Sequence, residues 1–167
     1  MKKHILFLVL SILVIGCSPS YQSILPKETQ LLIPTGANKV ILYSNVPSDS
    51  LFNEVLNTLI NENIRIVNEN KDIGYISTEG KHVGGGTLLR MNIRIYKNSN
   101  ISNLSSSAEW MADAETMSTV NAVFGTNLQQ EWKPASRENV GKPDYAYEKM
   151  IEIIEKIPHS KIDFIKE

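Results

Sequence analysis

Two periods run through this chain, one belonging to a helix and one to a strand. Leu51, Phe52, Val55, Leu56, Leu59 and Ile60 recur at helical spacing, while Asn53, Glu54, Asn57, Thr58 and Asn61 occupy the other side. The stripe predicts a helix over about 49–62, opened by Pro47 and the capping side chains of Ser48, Asp49 and Ser50. Further on the period drops to two. Leu89, Met91, Ile93 and Ile95 alternate with Arg90, Asn92, Arg94 and Tyr96, as in a sheet covered on one side only. Lys97-Asn98-Ser99-Asn100 then turns the chain into a partner strand over 101–111, where Leu104, Ser106, Ala108 and Trp110 share a face.

The other elements are shorter. Residues 39–44 form a β-rich run, and the runs 64–67 and 73–78 flank the polar turn Glu69-Asn70-Lys71-Asp72, predicting a hairpin. Gly84-Gly85-Gly86 breaks the chain before the long strand. Tyr147, Met150, Ile151, Ile154 and Ile157 predict a second amphipathic helix over about 144–157, stopped by Pro158, and 161–165 fits a terminal strand. The segment 112–143 shows no sustained period. A structureless stretch of that length is unusual in a compact domain, so its part 114–124 is expected to be helical or packed. The order β-α-β-β-β-β-α predicts an α+β fold: a two-layer sandwich, with two helices on one face of an antiparallel sheet of four to five strands.

Ahead of this body stands a different pattern. Lys2 and Lys3 precede the apolar stretch 5–15, which only Ser11 interrupts, and Val14-Ile15-Gly16-Cys17 ends it. The stretch is shorter than the roughly 20 residues that a membrane span needs. It resembles a bacterial lipoprotein signal peptide, with a basic start, an apolar middle and a four-residue lipobox. The resemblance implies cleavage before Cys17, acylation of its sulfur and anchoring of the mature chain by lipid. Two or three acyl chains hold stably where one is marginal. The expected organisation is therefore a signal peptide over 1–16, a lipidated tether over 17–38 and one α+β domain over 39–167. Pro19, Pro26, Pro34 and Gly36 punctuate the tether, in which Leu31-Leu32-Ile33 is the one apolar patch expected to dock. A flexible chain of about 20 residues spans roughly 25 Å on average, enough to hold a domain clear of the head groups.

Ser18 follows the cysteine where an aspartate would resemble the inner-membrane retention signal of enterobacterial lipoproteins, so the outer membrane is expected. The stretch 18–22 lacks the acidic cluster that resembles a surface-export signal in Bacteroidetes lipoproteins, which favours the periplasmic face.

Charge and composition narrow the function classes. Seventeen Lys and Arg stand against 18 Asp and Glu, and loss of a leader carrying two lysines makes the balance more acidic. That argues against nucleic acid and against charge-driven binding to anionic lipid. Cys17 is the only cysteine, so the chain can close no disulfide on itself, and its three histidines, His4, His82 and His159, are too sparse for a histidine-rich metal site. No cofactor or metal is expected. Gly84-Gly85-Gly86-Thr87 lacks the Lys-Ser/Thr pair of a phosphate-binding loop and precedes a strand, so a hairpin connection is the expectation. No Gly-x-Ser-x-Gly elbow appears.

Four residues are binding candidates. Arg90, Arg94 and Tyr96 share the polar face of the long strand, which suits an acidic ligand or a peptide, although such a face also serves solubility. Trp132 lies in the irregular segment between Glu131 and Lys133-Pro134 and is placed to anchor a partner or stack on a sugar. Trp110 has the parity of Leu104 and Ala108, which points to the core. Asp113 and Glu115 are the candidate carboxylate pair for hydrolysis, a role that competes with plain solvation.

The helix bearing Phe52, Val55 and Leu59, followed by Ile64-Arg65-Ile66, a polar turn and Gly74-Tyr75-Ile76-Ser77-Thr78, resembles the repeat unit of BamC-type envelope lipoproteins. The likeness covers residues 39–78 and implies an envelope binding or accessory role. Those proteins carry two such domains, whereas this chain has room for one. The leading expectation is a membrane-anchored envelope lipoprotein whose small non-catalytic domain binds another envelope component, protein or glycan. The competing ones are a small cell-wall-directed hydrolase using carboxylates of the 112–143 segment, and a structural lipoprotein without a small-molecule ligand.

Overall fold

A computed structural model describes residues 23–97, 101–138 and 141–167. The expected leader, lipobox and turn at 98–100 fall outside the described residues. In chain order the described elements are α1 (Lys27–Leu32), β1 (Lys39–Ser44), α2 (Ser48–Asn61), β2 (Ile66–Asn70), β3 (Tyr75–Thr78), β4 (Lys81–Gly84), β5 (Thr87–Lys97), β6 (Ser102–Ala112), α3 (Ala114–Phe124), β7 (Lys133–Pro134), α4 (Lys142–Ile154) and β8 (Lys161–Ile165). The protein is mixed α+β, with one open antiparallel sheet.

The alternation read along β5 and β6 builds the centre of that sheet. The two strands pair antiparallel without a break from Thr87↔Ala112 to Lys97↔Ser102. Leu89, Met91, Ile93 and Ile95 are buried on one face of β5, and Leu104 and Ala108 join them from β6. The sheet runs β2-β3-β5-β6-β1-β8, with β4 also paired to β5 and β7 to β6. On β1, Val40 and Leu42 continue the buried face. Leu51, Phe52, Val55 and Leu59 of α2 and Tyr147, Met150, Ile151 and Ile154 of α4 complete a single hydrophobic cluster on that side. Burying such side chains contributes about 1.5–3 kcal/mol each, and it is this face that drives folding.

Among the described residues there are eight strands and four helices, more than the four to five strands and two helices read from the pattern. The extra strands are too short to carry a period: β4 has four residues and β7 two. The extra helices bury nothing, so neither has an apolar stripe to read. α3 does cover the part of the irregular segment expected to be ordered, and the Asp113 side chain caps it by accepting from the Thr116 amide.

Three details differ from the sequence reading. Pro47 takes the N-cap of α2 with no side-chain cap, so Ser48 and Asp49 sit inside the first turn, where Asp49 favours the positive end of the helix dipole. The strand expected at 64–67 begins at Ile66, because the Ile64 amide donates to the Leu59 carbonyl at 2.8 Å and belongs to the end of α2. Most consequentially, residues 23–38, expected as linker, pack against the body: Leu25, Ile33 and Ala37 are buried in the core.

A buried charge cluster ties that segment down. Arg137 Nη1 donates to Asp144 Oδ1 at 3.1 Å and to Glu148 Oε1 at 2.6 Å, with all three residues at least nine-tenths buried. Glu148 also accepts from the Ser23 hydroxyl, and from the Ile24 amide at 2.8 Å. The Arg137 backbone closes the same corner, donating to the Ala37 carbonyl at 2.7 Å. Burial raises the Asp144 carboxyl above its ordinary value, outweighing the neighbouring guanidinium. It also pushes up the Tyr147 phenol, whose hydroxyl donates to the Lys39 carbonyl at 3.2 Å.

Candidate functional site

Among the described residues, no layer of helices covers the face of the sheet turned away from α2 and α4. Pleating puts Arg90, Asn92 and Arg94 of β5 on it, and register sets their neighbours. Arg90 lies opposite Glu109 of β6, and Arg94 stands between Tyr75 of β3 and Ser105 of β6. Each guanidinium has an aromatic partner. The Arg90 guanidinium carbon is 4.4 Å from the Trp132 ring centre, and that of Arg94 is 5.6 Å from the Tyr75 ring centre. Arg90 Nε also donates to Glu109 Oε2 at 2.7 Å, and the Tyr75 hydroxyl donates to Asn92 Oδ1 at 3.1 Å. The result is one row along β5: Trp132, Arg90, Asn92, Tyr75 and Arg94.

Trp132 reaches this row because a strand is interrupted. The Thr78 hydroxyl, not a backbone carbonyl, accepts the Met91 amide at 2.9 Å, and Glu79-Gly80 separates β3 from β4 along the same side of β5. The indole edge settles into that gap. A Cβ on Gly80 would stand 2.7 Å from Trp132 Cη2, so any larger residue there would push the rigid ring off the face. Trp132, Arg90, Asn92, Tyr75 and Ser77 line a shallow depression of about 400 Å³. Beside it Ser105 and Ser107 of β6 keep the floor low, with Ile41 and Lys39 of β1 opposite them.

Three of the four binding candidates therefore come together, and Tyr96 does not. It is half-exposed at the end of β5 and lines a separate depression of about 510 Å³ with Asp49, Lys71 and Asp72. Trp110 is partly buried and packs against the core, as its parity indicated. Tyr75 and Gly80 went unrecognised as part of the site, although the 73–78 strand already offered Tyr75; Asn92 was legible from the period of β5, on the same polar face as Arg90 and Arg94. Gly80 gave no signal, because only the tertiary position of Trp132 makes its missing side chain matter.

The hydrolytic candidates are arranged differently. Asp113 Oδ1 accepts from the Thr116 amide at 2.8 Å, and these bonds hold its carboxyl below its ordinary value. Glu115 lies in the first turn of the same helix. His82 Nδ1 stands 3.6 Å from Asp113 Oδ2. Lys142 Nζ donates to the Gly86 carbonyl at 2.7 Å, and burial lowers the ammonium below its usual range. Gly84, Gly85 and Gly86 all have positive φ and form the expected hairpin between β4 and β5. The groups around it clasp that hairpin to α3 and α4. Among the described residues no group of three or more His, Cys, Asp or Glu side chains is placed to hold a metal ion, and no helix is long and apolar enough to cross a membrane.

No family model and no curated protein matches the chain. The chemistry of the face follows from its own groups. Guanidinium groups stacked on rings are held flat and still present N–H donors at their edges. Amide and hydroxyl groups between them both donate and accept. Such a surface suits an extended polar ligand that lies along β5.

Proposed function

We propose that this protein is a lipid-anchored envelope lipoprotein whose single α+β domain is a non-catalytic binding module. Its ligand is another envelope component, a glycan or an extended protein segment, laid across the uncovered face of the sheet. The observation that carries this reading is the row from Trp132 through Arg90, Asn92 and Tyr75 to Arg94, with two guanidinium–aromatic stacks on one open face. Anchoring rests on the lipobox Val14-Ile15-Gly16-Cys17, and the outer membrane and its periplasmic face on the residues that follow. The commitment of Asp113 to a helix cap and of Asp144 and Glu148 to Arg137 favours binding over hydrolysis, as does the pairing of the two carboxylates that line the open face, Glu79 with Arg65 and Glu109 with Arg90.

Two measurements test the two halves. Intact mass of the protein purified from membranes should show Cys17 as the acylated first residue; an unmodified cysteine would refute the anchor. Sedimentation with purified cell-wall sacculi should retain the wild type and release Trp132→Ala and Arg94→Ala variants that stay folded. If these variants and the wild type behave alike on sacculi and in the envelope cross-linking described below, the face is not the binding site.

A further inference from the structure

The docked segment that follows the lipobox carries two leucines that the fold leaves in the open. Leu31 is 87% and Leu32 72% exposed, at the end of α1, a helix with no buried residue. Their exposure is imposed by the segment's anchoring. Leu25 and Ile33 are buried on either side of the helix, and Gln30 Nε2 donates back to the Leu25 carbonyl at 2.6 Å. Beside them Ile162 and Phe164 of the edge strand β8 line a shallow apolar depression of about 510 Å³. Ile24, at the head of the segment, is also exposed.

We infer that Leu31 and Leu32 rest on the lipid bilayer that holds the acyl chains of Cys17. The inference rests on the reading of Cys17 as the anchor, and the length of chain between anchor and body carries it. Ser23 and Ile24 are fixed to Glu148, so the chain is committed to the body from Ser23 onward. Only residues 18–22 separate it from Cys17. At full extension, about 3.3–3.6 Å per residue, Ser23 stands no more than about 22 Å from Cys17. The chain from Ser23 to Lys27 adds at most about 14 Å and the helix of six residues about 9 Å, so the leucines lie within about 45 Å of the anchor, on the part of the body that follows it directly. The anchor keeps the patch at high local concentration beside the surface, which lets a contact too weak to bind alone persist. The contact is apolar, so it requires no anionic lipid, in keeping with the chain's slight negative charge. The opposite edge of the sheet, β2, faces away from this surface.

The experiment uses the mature acylated protein in phosphatidylcholine vesicles. Acylation occupies the sulfur of Cys17, so a Leu32→Cys variant carries the only free thiol and takes an environment-sensitive fluorophore there. A Glu69→Cys variant labels β2 as the control. The expected result is a blue shift at position 32 and loss of most of its emission to nitroxide-bearing lipid, with neither at position 69. Equal quenching of both positions by aqueous iodide alone would overturn the contact while leaving the anchor intact. A shift at position 32 that grows with protein concentration and ignores the lipid quencher would assign the patch to a second copy instead. A mass without acyl groups on Cys17 would overturn anchor and contact together.

Discussion

Arg137 Nη1 lies 2.6 Å from the Glu148 carboxylate, and that same carboxylate accepts the Ile24 amide at 2.8 Å. The start of the described body meets there two neighbouring parts of the chain more than a hundred residues on, the segment after β7 and α4. A buried ion pair contributes little net stability, because desolvation offsets the attraction, but removing one partner strands the other. The cluster therefore makes the docking of residues 23–38 conditional on α4 being folded.

Glu148→Leu should destabilise the protein by about 3–5 kcal/mol, the usual cost of stranding a buried charge. Urea unfolding of wild type and variant measures it. Protease digestion should also show cleavage near residues 24–32 in the variant before the rest of the domain opens. A loss below 1 kcal/mol would mean that the cluster behaves as an exposed pair.

Two glycines with the same backbone conformation should respond differently to alanine. Gly74 has φ 62° and Gly125 φ 63°, but a Cβ at 74 would stand 2.2 Å from the Ile95 carbonyl oxygen, while at 125 nothing lies within 4 Å. Gly125→Ala should cost about 1–2 kcal/mol, from the left-handed conformation alone. Gly74→Ala should cost clearly more, because backbone must move, and thermal unfolding ranks the two.

The acid side of the stability profile should carry opposite contributions from two carboxyls. Asp113 is held below its ordinary 3.8 by the Thr116 hydrogen bonds, so its contribution is full above that value and lost as pH falls through the lower folded value. Asp144 is raised above 3.8 by burial, so its contribution is full below that value and lost as pH rises through the folded value. Asp113→Asn keeps a capping side chain and removes the first titration. Its melting temperature should fall less steeply than the wild type's below the ordinary aspartate range.

Substitutions on the open face should separate stability from binding. Arg90 and Glu109 are partly exposed, so Arg90→Ala should change stability by no more than about 1 kcal/mol. Gly80→Val should displace the Trp132 ring and red-shift its fluorescence without unfolding the domain. Both variants should lose ligand binding.

Much of this arrangement was legible in the chain because it is periodic. The alternation of β5 falls on the buried residues, as do Leu51, Phe52, Val55 and Leu59 of the α2 stripe, whereas Leu56 is only partly buried and Ile60 is exposed; the same alternation put Arg90 and Arg94 on the open side. Trp132 stood out as an aromatic residue in a polar stretch. What was not legible depends on contacts across the fold. Prolines and glycine made residues 23–38 read as a linker, yet Leu25, Ile33 and Ala37 are held in the core by bonds to a helix more than a hundred residues away. Tyr96 has the parity of Arg94 and pairs with Asn103 of β6, but it lies beyond the end of β3, which supplies the row's Tyr75.

The central claim is that the open face, rather than the helical side, meets the envelope component. Photo-reactive residues placed at position 105 on the face, opposite Arg94, and at position 54 on the solvent side of α2 test it directly in intact cells. A discrete cross-linked species is expected from position 105 that Arg94→Ala abolishes, and none from position 54. Adducts from position 54 with none from position 105 would contradict it.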